Sequence, residues 1–600
     1  MRILVETRKS TFNLMSDAYS LSYNVKDPVY VRLTVGEWSQ KLCIWSGCDG
    51  IQSKDVLTRI VKTPQLEEIE GGHRLSFEGT SLLHKKMTFV FECYEDRLEY
   101  YYRFNAGAPI DKLHYFQAWG VPKIFAPKEK GGKPAPKTGS NGAVEIQEIS
   151  SSKSFAWLFN PEPNALDRQW VSAQELAKVS VNYDNNFNGG NAFFTPGLLA
   201  FAVADQAKSR WMSLGIAARP GEYNFNDYEF IAGRFLGLFL TYYGKTKPVG
   251  VFETPHLVMH FGSTERSVLQ SYVDYLFKNR MVKKPAGKAP SWWREPIFCG
   301  WGEQAYQADF HKKLGEKDMK LEWNPFQYSN QGFYESMVNI LEKQKVPFGT
   351  IIIDDKWMKE RGLPAVDEGK WQDIRGFIDR MHKKGKKVLL WWGLFTGEGV
   401  PAELCVTRGG QKICEDPTNP EFVKLLRESI RRMISDKAGC YNADGFKIDF
   451  TAAVPAHNEA QRAGVVWGIE LLKTYLREIY SSAKKVKKDA FIIAHAANPY
   501  FMDVCDAIRL NDIDKNYQDS VILKMEFRAE MAALACPGLL IDMDNWPCPS
   551  RKAWLEYMQM QPLMGVPSLY YASHIDTTRE QILPQDWAMI AKLWKEYGKK

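Results

Sequence analysis

Alternation with a period of two governs the first part of the chain. Tyr30-Val31-Arg32-Leu33-Thr34-Val35, Met87-Thr88-Phe89-Val90-Phe91-Glu92 and Leu98-Glu99-Tyr100-Tyr101-Tyr102-Arg103-Phe104 place apolar and polar side chains on opposite faces. Strands of this kind, separated by turns, run to about residue 260 and predict a large antiparallel β-sandwich. The Gly131–Gly142 stretch, rich in Gly, Pro and Lys, predicts a surface loop within it. The period then changes. From Thr264 to Lys278, Val268, Leu269, Tyr272, Val273 and Leu276 recur at helical spacing, and a Pro/Gly/Lys-rich run from Lys283 to Pro290 follows. The predicted organisation is a β-sandwich domain with its linking helix over 1–280, a connector over 281–296, and a second domain over 297–600.

In that second domain apolar segments alternate with amphipathic ones. Ile297–Gly302, Gly349–Asp354, Lys387–Trp392, Gly445–Phe450, Ala490–His495, Ala507–Asn511, Gly538–Met543 and Pro567–Ser573 read as strands, with helices between them. Eight such units fit a catalytic (β/α)8 TIM barrel, and no Gly-rich dinucleotide or phosphate loop follows any strand to favour an open sheet. The final segment, Gln585–Tyr597, reads as a helix.

Composition narrows the function. The 600 residues exceed what one core holds, and 45% hydrophobic with 25% charged is an ordinary globular balance. The net charge of +7 is the small difference between 78 basic and 71 acidic residues, so no nucleic-acid partner is expected. Lys484, Lys485, Lys487 and Lys488 read as the solvated end of a helix. Aromatics reach 13%, with 19 Trp, and flat indole faces suit the C–H faces of sugars. The 10 cysteines lack zinc-ligand spacing, and neither a signal core nor a membrane span is visible. These features predict a cytoplasmic protein with free thiols, no membrane partner, no metal and no cofactor, and they leave the oligomeric state open.

Barrel chemistry sits at the C-terminal strand ends. There the sequence gathers Trp301, Asp354, Asp355, Trp357, Trp391, Trp392, Lys447, Asp449, His495, Arg509, Asp512, Asp542, Asp544 and Trp546. Cleaving an acetal takes a proton donor for the leaving oxygen and a second carboxylate below the anomeric carbon, about 5–5.5 Å away in retaining enzymes. Lys447 and Asp449 lie two apart on one strand and share a face, so the ammonium favours an ionised Asp449. The same spacing also fits a structural ion pair. His495 reads equally as a sugar contact or a structural histidine, and one of Trp391 and Trp392 faces inward.

Ile352-Ile353-Asp354-Asp355-Lys356-Trp357-Met358, Gly445-Phe446-Lys447-Ile448-Asp449 and Arg509-Leu510-Asn511-Asp512-Ile513-Asp514 resemble motifs of the α-galactosidase clan, glycoside hydrolase families 27, 31 and 36. The resemblance spans about residues 297 to 575, and the β-domain ahead of the barrel is more like families 31 and 36. It implies Asp449 as nucleophile and Asp512 as acid/base. It also implies Lys447 on sugar hydroxyls, Asp354 and Asp355 on the 4- and 6-hydroxyls, Arg509 on the 2-hydroxyl, and Trp357 and Trp301 at the pocket floor.

Two departures stand out. Only Leu510 and Asn511 separate Arg509 from Asp512, which on a continuing strand turns Asp512 to the other face and makes Asp514, Asp506 and Asp503 substitutes. His495-Ala496-Ala497-Asn498 also lacks the acidic or cysteine group of the galactosidases it resembles. The expected function is a retaining, exo-acting α-glycosidase on an oligosaccharide or glycoside, with α-galactosides first. The alternatives are another sugar (α-glucoside, α-N-acetylgalactosaminide, β-L-arabinopyranoside), a transglycosylase, or a non-catalytic carbohydrate-binding protein.

Overall fold

The computed structural model describes residues 3–105, 107–116, 121–122, 143–144, 157–161, 169–172, 177–181, 196–205, 207–232, 236–285, 287–314, 323–513 and 521–599. The Gly131–Gly142 loop and Asp514 lie outside them.

The alternating segments form antiparallel sheets. A five-stranded meander runs from Leu4–Arg8 to Trp38–Cys43. Next comes an 11-stranded sheet that includes Met87–Tyr94 and Arg97–Asn105, and then a five-stranded sheet that includes Ile110–Tyr115 and Asp227–Ala232. The last two sheets face each other as a sandwich. Tyr102 meets Tyr115 edge-on at 5.4 Å between ring centres, and Phe201 meets Phe230 at 4.4 Å. The linking helix Glu265–Lys278 is capped by Thr264, which exchanges hydrogen bonds with Ser267, and its buried stripe lies on the large sheet. Gly215 makes that contact possible, because a Cβ there would stand 2.3 Å from the Tyr272 ring.

All eight barrel segments are strands: β1 Ile297–Cys299, β2 Thr350–Ile353, β3 Lys387–Gly393, β4 Gly445–Asp449, β5 Phe491–Ala494, β6 Ala507–Arg509, β7 Leu540–Asp542 and β8 Ser568–Leu569. They pair in parallel, β8 returns to β1, and a bridge from Asp542 to Val566 closes the ring beside β7. The helices that cover the barrel are α1 Trp301–Leu314, α2 Gln331–Lys343, α3 Ile374–Lys383, α4 Pro420–Ile434, α5 Gly468–Val486, α6 Val521–Ala535, α7 Arg551–Met564 and α8 Pro584–Tyr597. The repeat is irregular, with two helices between β1 and β2 and only the 3-10 turn Pro499–Phe501 between β5 and β6.

The lysine cluster at the end of α5 departs from the sequence reading. Lys484 donates to Asp506 at 2.8 Å and Lys487 to Asp444 at 3.1 Å, so two of these lysines tie together the N-terminal ends of the barrel strands. Among the described residues no helix is long and apolar enough to cross a membrane.

The β-domain reaches the rim of the barrel through residues 219–226. Asn226 Nδ2 donates to the Pro455 carbonyl, and the backbone N–H groups of Ile469 and Glu470 donate to the carbonyls of Phe225 and Tyr223. Tyr223 stacks on Tyr500 at 4.2 Å. Gly468 has φ +57, and a Cβ there would lie 2.1 Å from the Phe225 carbonyl oxygen. The loops that follow β4 and β5 are therefore braced from the neighbouring domain.

Candidate active site

Alternation along β4 turns Phe446 and Ile448 toward the helices and Lys447 and Asp449 into the barrel. Parallel pairing sets Trp391 beside Lys447 and Gly393 beside Asp449. Asp449 is the last residue of β4, so its carboxylate reaches the C-terminal mouth, where 20% of it is exposed. Trp391 Nε1 donates to its Oδ2 at 3.1 Å. The Phe450 backbone N–H (2.9 Å) and Arg509 Nη2 (3.1 Å) both donate to its Oδ1. Burial opposes ionisation, but Arg509, Lys447 and the Phe450 N–H together with the neighbouring His495 imidazole outweigh it and hold Asp449 well below the usual carboxylate range. His495 Nε2 lies 3.9 Å from the same oxygen. Burial brings this imidazole down to about 4 against the pull of Asp449, so near pH 7 it is neutral and adds no charge.

Lys447 faces elsewhere. Its Nζ donates to Asp354 Oδ2 at 2.8 Å and sits 3.6 Å from Cys299 Sγ, with the Tyr570 ring 5.0 Å away. Lys447 still favours the ionised Asp449, as its place on the strand suggests, but from a distance: its own ion pair is with Asp354, and Arg509 is the cation in contact with Asp449. The reason is depth. Lys447 stands two residues, about 6.6 Å, below Asp449 in the strand, at the level where β1 and β2 deliver Cys299 and Asp354. Asp354 Oδ2 also accepts from the Cys299 thiol at 3.0 Å.

The spacing of Arg509 and Asp512 resolves in favour of the pair. Strand β6 stops at Arg509, and Asn511 takes φ +66, a left-handed turn that asparagine tolerates. The chain swings back, and Arg509 Nη1 donates to Asp512 Oδ1 at 3.1 Å. The same Nη1 donates to Asp544 Oδ2 at 2.8 Å. One guanidinium thus touches Asp449, Asp512 and Asp544. The Asp512 side chain is 52% open to water and rests on Arg509. Desolvation, aided by Asp544 and Asp449 and opposed by Arg509, pushes it up to about 7. Of the substitutes, Asp506 precedes β6 at the opposite end of the barrel, bound to Lys484, Tyr480 and the Ile492 N–H. Asp503 accepts from Lys473 of α5.

Asp355 is held by Arg361 through two hydrogen bonds, 3.0 Å from Nε and 2.7 Å from Nη2. Burial raises its carboxyl and Arg361 opposes the rise. Glu398 closes the network by accepting from Arg361 and from Lys356, the latter at 2.7 Å. Trp357 is fully buried and donates from Nε1 to the Trp391 carbonyl, so it backs Trp391 and does not reach the pocket floor. Trp301 is half-buried at the mouth, edge-on to Trp546 at 5.7 Å and to Trp323 at 6.2 Å. Trp391 faces inward and Trp392 outward, with the Trp392 ring on Phe446. Among the described residues no group of three His, Cys, Asp or Glu side chains is placed to hold a metal.

Sequence reasoning assigned no role to Asp544, Arg361 or Cys299. For Asp544 a signal existed, since Asp542-Met543-Asp544 repeats at the end of β7 the two-residue step of Lys447-Ile448-Asp449. Arg361 and Cys299 are joined to the site only by loop path and barrel closure.

Residues 319–480 match the family model for the glycosyl hydrolases family 31 TIM-barrel domain. No curated protein matches the chain in sequence. Among solved structures, a GH31 family sulfoquinovosidase from E. rectale superposes with a TM-score of 0.56 at 11% identity, over 99% of this chain and 83% of that one. The GH36 α-galactosidase AgaB from Geobacillus stearothermophilus gives 0.52 at 12% identity, over 100% and 86%. These likenesses concern the fold, and the family 31 barrel segment carries β2, β3 and β4 with Asp354, Lys447 and Asp449. With a family 31 barrel match over those strands, the chain is a glycoside hydrolase, and its fold is consistent with the clan that unites families 27, 31 and 36.

Proposed function

We propose that this enzyme is a retaining, exo-acting α-glycosidase with α-galactosides as its first substrates, in which Asp449 attacks the anomeric carbon and Asp512 protonates the leaving oxygen. The observation that carries this reading is the Arg509 bridge. Two carboxylates share one guanidinium at the mouth, one held ionised and the other pushed up to about 7. Two such groups with opposed environments suit a nucleophile and an acid. Attack by Asp449 forms the glycosyl ester while Asp512 gives its proton to the leaving oxygen. Asp512 then takes a proton from the water that releases the sugar. Lys447 and Asp354, an ion pair below Asp449, suit the hydroxyls of the sugar that reach deepest into the barrel.

A second reading keeps the mechanism and changes the sugar. It is favoured by the bidentate hold of Arg361 on Asp355, which occupies a carboxylate assigned by resemblance to a galactose hydroxyl. Rates on aryl α-galactoside and aryl α-glucoside separate the two, with faster galactoside cleavage expected. A 2-deoxy-2-fluoro or 5-fluoro glycosyl fluoride tests the mechanism, because it slows ester breakdown more than formation. Mass spectrometry should find one sugar on the peptide containing Gly445–Phe450. Label on another carboxylate, or an inverted product from the native enzyme, would overturn the assignment.

A further inference from the structure

We infer that Asp544 is a positioning residue of this site: it anchors Arg509 so that the same guanidinium spans Asp449 and Asp512, and it makes a third carboxylate share that one cation. The inference rests on the proposed glycosidase reading for its role in turnover, but not for its geometry.

Asp544 is fully buried beyond the end of β7. Its Oδ1 accepts from the backbone N–H groups of Asn545 (2.6 Å) and Trp546 (3.2 Å), and its Oδ2 accepts from Arg509 Nη1 (2.8 Å). These donors engage both carboxylate oxygens and fix the side chain in place. The backbone at Asp544 is left-handed, φ +46, which points the carboxylate at Arg509 while the next residues turn away. Arg509 is itself buried, and its Nε has no hydrogen-bond partner. Its orientation therefore depends on its two terminal nitrogens. Nη1 is shared by Asp544 and Asp512, and Nη2 is given to Asp449.

Charge counting then explains the acid. Asp512 faces Arg509 on its own segment, Asp449 and Lys447 from β4, and Asp544 from beyond β7. Lys447 is engaged by Asp354. A single guanidinium is left for Asp449, Asp512 and Asp544. Asp544 is fixed by three donors and Asp449 by Trp391, Phe450 and Arg509, so Asp512, the least bonded of the three, is the one that takes the proton.

The test compares native enzyme with Asp544→Asn, which keeps the Oδ1 acceptor, and Asp544→Glu, which keeps the charge. With an aryl α-galactoside of poor leaving group, the alkaline limb of the pH profile should move to lower pH by about one unit in Asp544→Asn, the usual size of a neighbouring-charge effect. Asp544→Glu should keep the limb near its native place even where kcat falls. Carbodiimide labelling of Asp512 across pH, read by peptide mass spectrometry, needs no turnover. Protonated Asp512 should disappear at correspondingly lower pH in Asp544→Asn. If the native enzyme cleaves no α-glycoside, the functional reading fails and the labelling shift still decides this one. Equal losses in both variants with an unmoved limb and unmoved labelling would show a merely structural aspartate and overturn the inference.

Discussion

Arg509 Nη2 stands 3.1 Å from Asp449 Oδ1, and among the described residues no other Lys or Arg nitrogen lies within 4.0 Å of that carboxylate. The cation that holds Asp449 ionised is supplied across the barrel from β6, not from its own strand. Removing it exposes the carboxylates to one another. Arg509→Met should abolish turnover and cost about 3–5 kcal/mol of stability near pH 7, as breaking a buried ion pair usually does. Thermal unfolding near pH 7 should show this deficit directly.

The pH dependence of kcat/KM follows from the two carboxyls. Asp449 keeps its charge through the whole acid range in use, because its pKa is lowered. Asp512, pushed up to about 7, must be protonated to act. The profile should be flat from about pH 4 to 6 and fall through about 7, with a single alkaline limb. Stability follows the same shifts. The raised pKa of Asp512 means that the folded state binds more protons than the unfolded one between about 4 and 7, so this group's contribution declines as pH rises through that window. Asp449 works the other way: its stabilisation is present above the unfolded value of about 4 and is lost as pH falls through its lowered folded value. A bell with its acid limb near pH 5 would contradict the ionised state of Asp449.

Asp512→Ala should divide substrates by leaving group. Poor leaving groups should lose about 10²–10⁴-fold, while activated aryl glycosides lose little. Steady-state rates over a leaving-group series read this directly. A uniform loss would move the acid role to a neighbour, and Asp514 is the first to examine.

Arg361→Gln removes both hydrogen bonds that hold Asp355. The buried carboxylate should then rotate or take a proton, and kcat/KM should fall about tenfold, chiefly through KM. A fall in kcat with unchanged KM would place Arg361 in the chemical step.

The barrel was legible because its eight strands are apolar runs closed by chemistry-bearing residues, as in Lys447-Ile448-Asp449 and Arg509-Leu510-Asn511-Asp512. Period and strand-end logic suffice for that. The strand order was readable, but where β6 stops was not. That stop depends on the left-handed turn at Asn511, and it decides whether Asp512 meets Arg509. Trp357 was misplaced for a related reason: adjacency to Asp354 and Asp355 suggested the pocket, while the loop buries its indole behind Trp391. Cys299 with Lys447 is a pairing across the ring, and Arg509 with Asp544 one between neighbouring strands far apart in sequence, which no local pattern encodes. Helices were expected between all strands, and the β5–β6 crossover has only a 3-10 turn, where Asn498 and Tyr500 hydrogen-bond to the other domain.

Gly468→Ala tests that docking. A side chain at φ +57 with its Cβ 2.1 Å from the Phe225 carbonyl should cost about 1–3 kcal/mol and lower Tm measurably. Since the atoms nearest Gly468 are the Phe225 and Asn226 backbone, an accompanying loss of kcat would report rim geometry. An unchanged Tm would mean that the two domains separate there without cost.

The brace formed by Tyr223, Phe225 and Asn226 has a consequence for anyone recombining such enzymes. Part of the scaffold under the loops after β4 and β5 is owned by the β-domain, so the barrel is not a portable cassette. Grafting it behind a foreign sandwich that lacks residues 219–226 would preserve every carboxylate discussed above and still retune the catalyst. Inheritance of this mouth is therefore joint, and the two halves are expected to change together.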